Sequence, residues 1–525
     1  MFVEPAHSTI FATILMKIRS LFFALLCVSL VLALTRCRKE HYQEDASAKL
    51  QFSSDTIFFD TVFSTVGSAT QYLRVKNNYN KSVRISRIAL ESDNSQFRIN
   101  IDGLDGPLQE DIEILPNDSI FIFVEVTIDP GNQDLPFIVE DRIRFELNGN
   151  EQFVELQAWG QDAYFHGGLN SCNDPFSYII PTGQVEVWTN DKPHVIYGIV
   201  AVDSAATLRI NPGTQVYCHG KSGIYVYKGS LVIDGDLGAE VKFQGDRLES
   251  YYDNIPGQWG IQLDCPYETG IGPQIASIVR GGIWIFQSPG SSIEYAELRN
   301  GNNGIQVDTT GVSYTGVNYS VEIRNTKIVN MAGVGLLGQG ASILGQNLLI
   351  GNCGQQCASF SIGGRYRMDN CTFANYWSDN SRQYPTFVLN NYYEDINQNI
   401  QARQLYDSQF NNCIMFGNNA FLTDFNEFVI DLDDAAPSVY SFRYCLVDTD
   451  ESVEDDGLHF FSMSNNQSPS LCNPEEENFR LSNDGLLMSG SAVSANNLPE
   501  DIDGISWGSQ IWKGCYAFDS GTPCE

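Results

Sequence analysis

The sequence has few basic residues: 31 Lys and Arg stand against 64 Asp and Glu, so its 525 residues carry a formal net charge of −33. A protein that binds DNA or RNA needs a basic face, because it must neutralise phosphates and release their counterions. The long-range field of this chain would instead repel phosphates and other anions. We therefore expect no nucleic-acid partner, whereas neutral glycans and cations are compatible with the charge.

Also absent is an apolar run long enough to span a bilayer as a helix, which needs ~20 residues. Lys17 and Arg19 precede 14 uncharged residues from Leu21 to Leu34, and Cys37 follows them. A positive segment before a short apolar one is typical of an export signal. With the Cys behind it, this segment resembles the signal of bacterial lipoproteins, whose Cys is acylated after cleavage.

The resemblance implies that residues 1–36 are a signal peptide and that Cys37 carries lipid. Several acyl chains on one Cys anchor a protein stably. We accordingly expect a protein held by lipid in the cell envelope, at the outer membrane or cell surface, with the membrane as a partner. An ordinary cleaved signal that leaves Cys37 as a plain thiol is the alternative.

The 13 cysteines lack the two-residue spacing that is typical of zinc and thiol redox sites. Cys371, Cys413 and Cys445 each stand just before an apolar strand, so we expect them to pack inside the fold as small hydrophobic side chains. Cys515 and Cys524 are the pair that we expect to form a disulfide at the C-terminus, with two free thiols as the alternative.

Short alternating runs dominate residues 48–163, after a linker over 37–47. Apolar alternation broken by turns every eight to twelve residues or so predicts an all-β sandwich. Asn148-Gly149 is the clearest hairpin turn. The segment from Leu73 to Ile85 resembles the Ig-like modules, which act as spacers or adhesive units. The runs are Thr56 to Phe63, Tyr72 to Val75, Val83 to Leu90, Ile120 to Ile128, Ile143 to Leu147 and Phe153 to Ala158.

A repeat of the form Asn-x-x-apolar-x-Asn follows, with units that begin 22 and 23 positions apart. This period, with Gly and Asn turns between short strands, predicts the coils of a parallel β-helix. Successive coils stack at strand spacing, so we expect the amides to form two hydrogen-bonded Asn ladders. The units open on Asn325, Asn347 and Asn370 and close on Asn330, Asn352 and Asn375.

Upstream motifs strengthen this interpretation: Ile210 to Thr214, Gly229 to Gly235, Val241 to Phe243 and Gly257 to Gly260. In this order they resemble the opening coils of bacterial, Bacteroidetes-like right-handed β-helix proteins. The resemblance implies an all-β protein, with a right-handed parallel β-helix preceded by a small Ig-like β-sandwich. We expect a connecting segment over 164–197, the β-helix over 198–480 and a C-terminal cap over 481–525. The resemblance specifies fold and says little about activity.

An insertion interrupts the repeat, because 42 positions separate Asn375 from Gly417 where one coil needs about 22 residues. Aromatic faces beside polar groups suit sugar rings, which stack on their C–H faces while their hydroxyls form hydrogen bonds. Packing of the insertion against the coil is the alternative. The predicted ligand-binding residues are Tyr376, Trp377, Arg382, Tyr384, Tyr392 and Tyr393.

We assign no catalytic residue, metal ligand or cofactor, although the acidic run Asp448 to Gly457 could hold a structural Ca²⁺ through oxygen ligands. A solvated loop is the alternative for that run. The sequence favours a non-enzymatic envelope platform that binds glycans or another envelope protein. A polysaccharide lyase or glycoside hydrolase on the β-helix is one alternative, and a purely structural adhesin is the other.

Overall fold

The computed structural model describes residues 42–63, 67–129, 137–168, 175–269, 272–308, 318–418, 426–482, 498–507, 512–518 and 524. Cys37 and the predicted signal segment lie outside the described residues. Within the described ranges no helix is both long and apolar enough to cross a membrane. The chain divides into two compact units, the second of which comprises Trp159 onward together with short segments around 60–66 and 128–137.

The first unit is a β-sandwich built from antiparallel strands. Its two five-stranded sheets have the orders β1-β3-β8-β5-β6 and β2-β10-β9-β4-β7. The strands are β1 (Gln51–Phe52), β2 (Thr56–Phe63), β3 (Gln71–Lys76), β4 (Val83–Leu90), β5 (Phe97–Ile101), β6 (Leu104–Asp105), β7 (Leu108–Ile114), β8 (Ser119–Val126), β9 (Phe137–Leu147) and β10 (Asn150–Gln161).

Strand β8 shows why the sequence alternates. Its buried side chains Ile120, Ile122 and Val124 point into the sandwich, and Phe121 and Phe123 between them are 42% and 44% exposed. A strand presents successive side chains to opposite faces, so one face packs on the core and the other meets solvent. Five of the six predicted runs lie within strands of this sandwich, and the run Ile120 to Ile128 extends two residues past the end of β8; the sandwich prediction is confirmed.

The predicted hairpin turn lies between β9 and β10. Asn148 has a φ of 50° and Gly149 a φ of 81°. Two central residues with positive φ form the type I′ turn, whose twist matches that of the paired strands. The Asn-Gly pair therefore sets the register of this hairpin.

The second unit contains parallel strands and two short 3₁₀ turns, η1 (Ser250–Tyr252) and η2 (Pro474–Glu476). Its strands are β11 (Tyr164–Gly167), β12 (Tyr178–Ile180), β13 (Val185–Trp188), β14 (His194–Tyr197), β15 (Ile199–Val202), β16 (Thr207–Ile210), β17 (Gln215–Cys218), β18 (Gly223–Tyr227), β19 (Ser230–Asp234), β20 (Val241–Gly245), β21 (Gln262–Thr269), β22 (Gly272–Val279), β23 (Ile283–Phe286), β24 (Ser291–Glu294), β25 (Ala296–Arg299), β26 (Ile305–Asp308), β27 (Val321–Arg324), β28 (Lys327–Met331), β29 (Leu336–Gln346), β30 (Leu349–Cys353), β31 (Ala358–Asp369), β32 (Thr372–Asn375), β33 (Phe387–Asn390), β34 (Tyr392–Glu394), β35 (Ile400–Ala402), β36 (Leu405–Asn411), β37 (Ile414–Gly417), β38 (Phe428–Asp431), β39 (Ser438–Arg443), β40 (Leu446–Val447), β41 (Phe460–Phe461), β42 (Ser464–Asn465), β43 (Leu471–Asn473) and β44 (Asn478–Leu481).

These strands wind into a parallel β-helix. The described strands form an 11-stranded sheet, β11-β14-β17-β20-β25-β28-β30-β32-β37-β40-β42, and a 17-stranded sheet. A typical coil contributes one strand to the first sheet and two to the second, as β17, β18 and β19 do. Crossovers between parallel strands of one sheet are right-handed as a rule. The protein is thus all-β, with a right-handed parallel β-helix and an Ig-like sandwich, as the sequence predicts.

The interior of the β-helix is a stack of aliphatic side chains. Ile224, Ile283, Ile305 and Leu336 occupy matching register positions on four successive coils. Each is at most 1% exposed. Removing one such side chain from water is worth about 1.5–3 kcal/mol, so the stack is the main source of stability of this unit.

The Asn of the repeat occupy the corners between strands. Asn325, Asn347 and Asn370 have φ values of 47°, 51° and 54°, and Asn330 and Asn352 have φ values of 55° and 51°. Most L residues avoid this left-handed region, but Asn adopts it because its short amide can form local hydrogen bonds. The period seen in the sequence therefore marks the bends of the coil.

The coils begin earlier than the predicted boundary at residue 198. Strand β11 pairs in parallel with β14, and β12 and β13 pair with β15 and β16. Within the connecting segment predicted over 164–197, β11, β12 and β13 therefore form a coil, and β14 begins the next one. The apolar pattern of β13 is misleading, because Val185 and Val187 are 65% and 47% exposed.

The C-terminal segment, predicted as a cap, lies along the side of the β-helix. Phe479, Ile502 and Tyr516 pack with Val329 and Leu349, which face outward from the 11-stranded sheet. The described residues from 471 to 518 are called the tail from here on. The tail covers an apolar outer face that would otherwise meet water.

The predicted disulfide between Cys515 and Cys524 is wrong. Cys524 pairs with Cys472, 52 positions earlier in the chain. Cys515 is a buried free thiol, and its backbone N–H donates to the Thr372 hydroxyl at 3.0 Å. Packing of the tail on the sheet therefore holds Cys515 inside, while β43 brings Cys472 to the end of the chain.

Candidate functional site

The six predicted ligand-binding residues of the insertion do not converge on one site. Tyr376 and Trp377 line a cleft of about 300 Å³ together with Arg299, Asp379 and the turn η2. Trp377 is only 8% exposed, and its indole N–H donates to the Asn380 side chain at 3.2 Å. Most of its ring is therefore packed within the protein.

Arg382 lies inside the protein, where it holds the insertion in place. Its guanidinium donates to both carboxylate oxygens of Glu427, at 2.7 and 2.6 Å. The two side chains are 3% and 2% exposed. Thr386 donates to the same carboxylate through its hydroxyl at 2.7 Å and its backbone N–H at 3.0 Å. Such a buried, bidentate pair has a structural role.

The three remaining tyrosines are nearer the surface. Tyr384 is 45% exposed. Tyr392 and Tyr393 stand on the hairpin of β34 and β35. The Tyr392 hydroxyl donates to Asp431 at 2.5 Å, and the Arg403 guanidinium donates to the Tyr393 hydroxyl at 3.2 Å. These polar contacts orient the hairpin on the coil.

The predicted Asn ladders are present only in part. The Asn347 amide donates to the Asn325 side-chain oxygen at 3.0 Å and also to the Glu500 carbonyl of the tail at 2.9 Å. Asn370 instead donates to the Trp512 carbonyl at 2.9 Å. The tail therefore takes hydrogen bonds that a continuous ladder would have used.

The second ladder is also present only in part. Asn330 donates to the Asn300 side chain of the preceding coil at 2.8 Å, whereas Asn352 donates to the Pro474 carbonyl at 2.8 Å. Asn375 donates to the carbonyl of Cys353 at 2.9 Å. These amides satisfy backbone groups at the corners of the coil, so their role is structural.

A more suitable candidate for ligand binding than the insertion lies on the outer face of the 17-stranded sheet. Strand β18 places Tyr225 and Tyr227 outward, and strand β23 of the next coil places Trp284 and Phe286 in register with them. The intervening residues of both strands are buried. Alternation in neighbouring parallel strands therefore builds two adjacent rows of rings.

Contacts between the rings make this surface rigid. The ring centroids of Tyr225 and Trp284 are 4.4 Å apart, and those of Tyr227 and Phe286 are 5.9 Å apart with an interplanar angle of 8°. The Trp284 indole N–H donates to Asp308 at 2.7 Å. Aromatic pairs at these distances add about 0.5–1.5 kcal/mol beyond burial.

The two rows of aromatic rings end at the small side chain of Ala201. Ala201 of β15 is in register with Tyr225, and Ile179 of β12 lies beyond it. The resulting gap is a cleft of about 350 Å³. On its other side Phe176 runs parallel to Tyr225, with centroids 5.6 Å apart and an interplanar angle of 5°. This aromatic cleft is lined by Phe176, Ile179, Ala201, Val202, Asp203, Tyr225 and Tyr227.

One carboxylate stands among these mostly apolar residues. Asp203 accepts hydrogen bonds from the Thr182 hydroxyl and the Ser204 backbone N–H, both at 2.7 Å. These two bonds, that of Thr182 first, lower the pKa of Asp203 below its ordinary value. Burial raises the pKa of Tyr225 to about 12, so its hydroxyl stays protonated and can donate.

A second, polar groove of about 470 Å³ lies over later coils. Its arginines are paired within the protein: Arg324 contacts Glu322 at 2.7 Å, and Arg367 contacts Asp369 at 2.9 Å. The Arg324 guanidinium also donates to the Gln346 side chain at 2.9 Å. The groove is therefore a hydrogen-bonded surface whose charges are largely compensated.

The sequence contains a signal for the aromatic cleft that pattern reading missed. Tyr-Val-Tyr at 225–227 and Trp-Ile-Phe at 284–286 share the same alternation. Between them stands an insertion that carries the hairpin of β21 and β22. Because of this insertion, no fixed period connects the two motifs.

Within the part of the chain that the structure describes, no group of three or more His, Cys, Asp or Glu side chains could hold a metal ion. The acidic run at 448–457 uses its carboxylates locally: Asp456 accepts backbone N–H bonds from Leu458 at 2.8 Å and His459 at 2.6 Å. Burial raises the pKa of Asp448 to about 6, with the nearby Glu427 as a further cause.

Comparisons with known proteins give no functional assignment. No protein family matches the sequence, and no curated protein matches it. The periplasmic chaperone SfaE aligns with 21% of this chain at 11% identity and a TM-score of 0.16, and the chain spans only 57% of that protein. XylC, solved in complex with xylose, is similar over 87% of this chain and 88% of its own, at 8% identity and a TM-score of 0.35.

The catalytic domain of a GH87 α-1,3-glucanase, in complex with tetrasaccharides, aligns with 76% of this chain and 92% of its own. Its identity is 10% and its TM-score 0.24. At these scores the likenesses say nothing about activity. What the structure itself defines is a class: an all-β protein with a parallel β-helix and an aromatic cleft on its outer face.

Proposed function

We propose that this protein is a lipid-anchored envelope protein that binds glycans without cleaving them, with the β-helix as a rigid platform and the aromatic cleft as the binding site. The single observation that carries the proposal is the gap at Ala201, where Phe176, Tyr225 and Tyr227 surround an open space with Asp203 among its lining residues. A sugar ring combines an apolar face with polar edges, and this surface offers both kinds of partner.

The size of the cleft supports a small ring as its ligand. Its volume of about 350 Å³ falls at the lower end of the ~300–1,000 Å³ typical of small-molecule sites. The rings that line it are held by neighbours, as Tyr225 is by Trp284. A pre-formed site loses little freedom on binding, which favours affinity.

The lining residues favour binding over hydrolysis. Glycoside hydrolases use two carboxyl groups that flank the scissile bond. Asp203 is the one acid among the described residues that line the aromatic cleft. It is therefore proposed to orient a sugar through its hydroxyls and not to cleave it.

A glycan array with the purified full-length mature protein tests the proposal. We expect a defined set of neutral glycans to bind, and Ala201→Phe to abolish binding because a phenyl ring would fill the gap. Val439→Phe serves as the matched control, since it adds the same phenyl ring at an exposed position elsewhere on the same sheet. Binding by no glycan, or full binding by Ala201→Phe, would contradict the proposed site.

The lipid anchor is tested separately by mass spectrometry of the mature N-terminus. The signal pattern before Cys37 supports acylation of that residue. We expect a peptide that begins at Cys37 and carries acyl chains. An unmodified peptide that runs through Cys37 would overturn the anchor and leave the glycan proposal standing.

A further inference from the structure

We infer that the aromatic cleft prefers a glycan whose terminal ring bears a free ammonium group, an amino sugar, over the same glycan in N-acetylated form. This inference rests on the proposed function, because it specifies the ligand of the same site. It draws on three observations: the cations already held by these aromatic rows, the carboxylate beside the rings, and the charge of the whole chain.

The rows of rings already attract cations of the protein itself. The Lys228 ammonium lies 5.0 Å from the centroid of Tyr227, and the Arg280 guanidinium lies 5.2 Å from that of Trp284. Cations bind aromatic faces within ~6 Å because the ring quadrupole is negative there. Phe176 and Tyr225 give the cleft two more aromatic groups of the same kind.

Asp203 supplies the matching negative charge. Its two hydrogen bonds, from Thr182 and Ser204, satisfy the ionised form and hold the carboxylate at the cleft. An ammonium group on the sugar could reach this carboxylate while the ring packs on the aromatic side chains. Charge-assisted hydrogen bonds of this kind are about twice as strong as neutral ones.

The charge of the whole chain acts in the same direction. A net charge of −33 attracts cationic ligands at long range and repels uronic acids or sulfated sugars. N-Acetylation removes the positive charge and adds an uncharged amide. The acetylated sugar would therefore lose both the contact with Asp203 and the cation–π attraction.

The experiment compares two oligosaccharides of equal length, one of glucosamine and one of N-acetylglucosamine, by calorimetry with the full-length protein. We expect the glucosamine oligomer to bind roughly tenfold more tightly, the effect of one partly desolvated cationic contact. The preference should shrink at high ionic strength. Asp203→Asn should reduce the preference, because it removes the carboxylate and leaves only the attraction of the rings for the ammonium group.

The outcomes separate this inference from the proposed function. Equal binding of both oligomers, lost in Ala201→Phe, would overturn the ammonium preference and keep the glycan site. Binding of neither, together with an empty glycan array, would overturn both. A preference that persists undiminished in Asp203→Asn would overturn the role given to the carboxylate. Circular dichroism of Asp203→Asn, with Val439→Phe as control, checks that each variant is folded.

Discussion

The ion pair between Arg382 and Glu427 gives a quantitative test of how the insertion is held. Both side chains are almost fully buried, and two hydrogen bonds join the guanidinium to the carboxylate. The guanidinium also donates to the Tyr384 carbonyl at 2.5 Å. The perturbation is the removal of one partner, by Arg382→Ala or Glu427→Ala, and then of both.

Breaking a buried pair costs about 3–5 kcal/mol, because the remaining charge stays buried without its counterion. Replacement of both partners by apolar groups of similar volume is often nearly neutral, so Arg382→Met/Glu427→Met should cost far less than either single change. The exposed pair Arg209 and Asp234 is the matched control, since an exposed pair contributes only about 0–1 kcal/mol.

Native-state hydrogen exchange is the suitable measurement, because it reports local opening without assuming two-state unfolding of both units. The N–H of Phe387, which donates to the Glu427 carbonyl at 2.9 Å, is the reporter. At 1.4 kcal/mol per factor of ten, each single variant should exchange roughly a hundred to several thousand times faster. Unchanged exchange in Arg382→Ala, or a double variant as damaged as the singles, would refute the reasoning.

Three further predictions concern other parts of the second unit. Burial lowers the pKa of His166 from 6.5 to about 3, and also lowers that of His194, whose Nδ1 lies 2.8 Å from His166 Nε2. Only the unfolded state takes up a proton at His166 as the pH falls below 6.5, so the free energy of unfolding, measured by thermal denaturation, should drop by up to about 1.4 kcal/mol per pH unit from His166, and His194 should add a drop of the same sign; a flat profile from pH 7 to pH 5 would contradict this. Cys472→Ser removes the disulfide to Cys524, which is 52 positions away, and should lower the free energy of unfolding of the tail by about 4 kcal/mol. Faster proteolysis of the tail would show this loss. Asn347→Ala loses two amide hydrogen bonds and strains a residue with a φ of 51°, so it should destabilise the β-helix by about 2–3 kcal/mol in urea unfolding, whereas Asn347→Gly should cost less.

The fold could be predicted because its repeat obeys local chemistry. Asn recurs where the backbone must turn left-handed, as at Asn325 and Asn347, and that requirement can be read without knowing which strands pair. The same applies to Asn148-Gly149, whose turn type follows from two residues. Local backbone requirements are visible in a single sequence because each involves only a few neighbouring positions.

The site could not be predicted in the same way, because it depends on register between distant strands. Ala201, Tyr225 and Trp284 become neighbours only when β15, β18 and β23 pair, and an insertion separates the last two. The sequence favours the aromatic insertion as the binding site because its aromatic residues are close together in the chain. Aromatic content alone does not distinguish a buried Trp377 from an available ring.

The position of the tail along the side of the β-helix also depends on contacts between distant residues, although the sequence contains a signal for it. All five residues of β30 (Leu349–Cys353) are buried, so both faces of this strand are covered. A strand covered on both faces has an almost continuous apolar run, as Leu348-Leu349-Ile350 shows. That run indicates a covering segment beyond the coil, and the apolar residues of the tail supply it.

The tail also changes how the coils can unfold and evolve. In an open solenoid each coil contacts only its neighbours, so coils can fray from the ends, and a coil can be gained or lost without cost elsewhere. Here Phe479 packs so closely that a methyl group on Gly351 would lie 2.4 Å from its ring, and Asp503 holds Lys327 at 3.0 Å. Deleting one coil would shift all these contacts by one strand spacing. The tail therefore joins the coils that it contacts into one cooperative block.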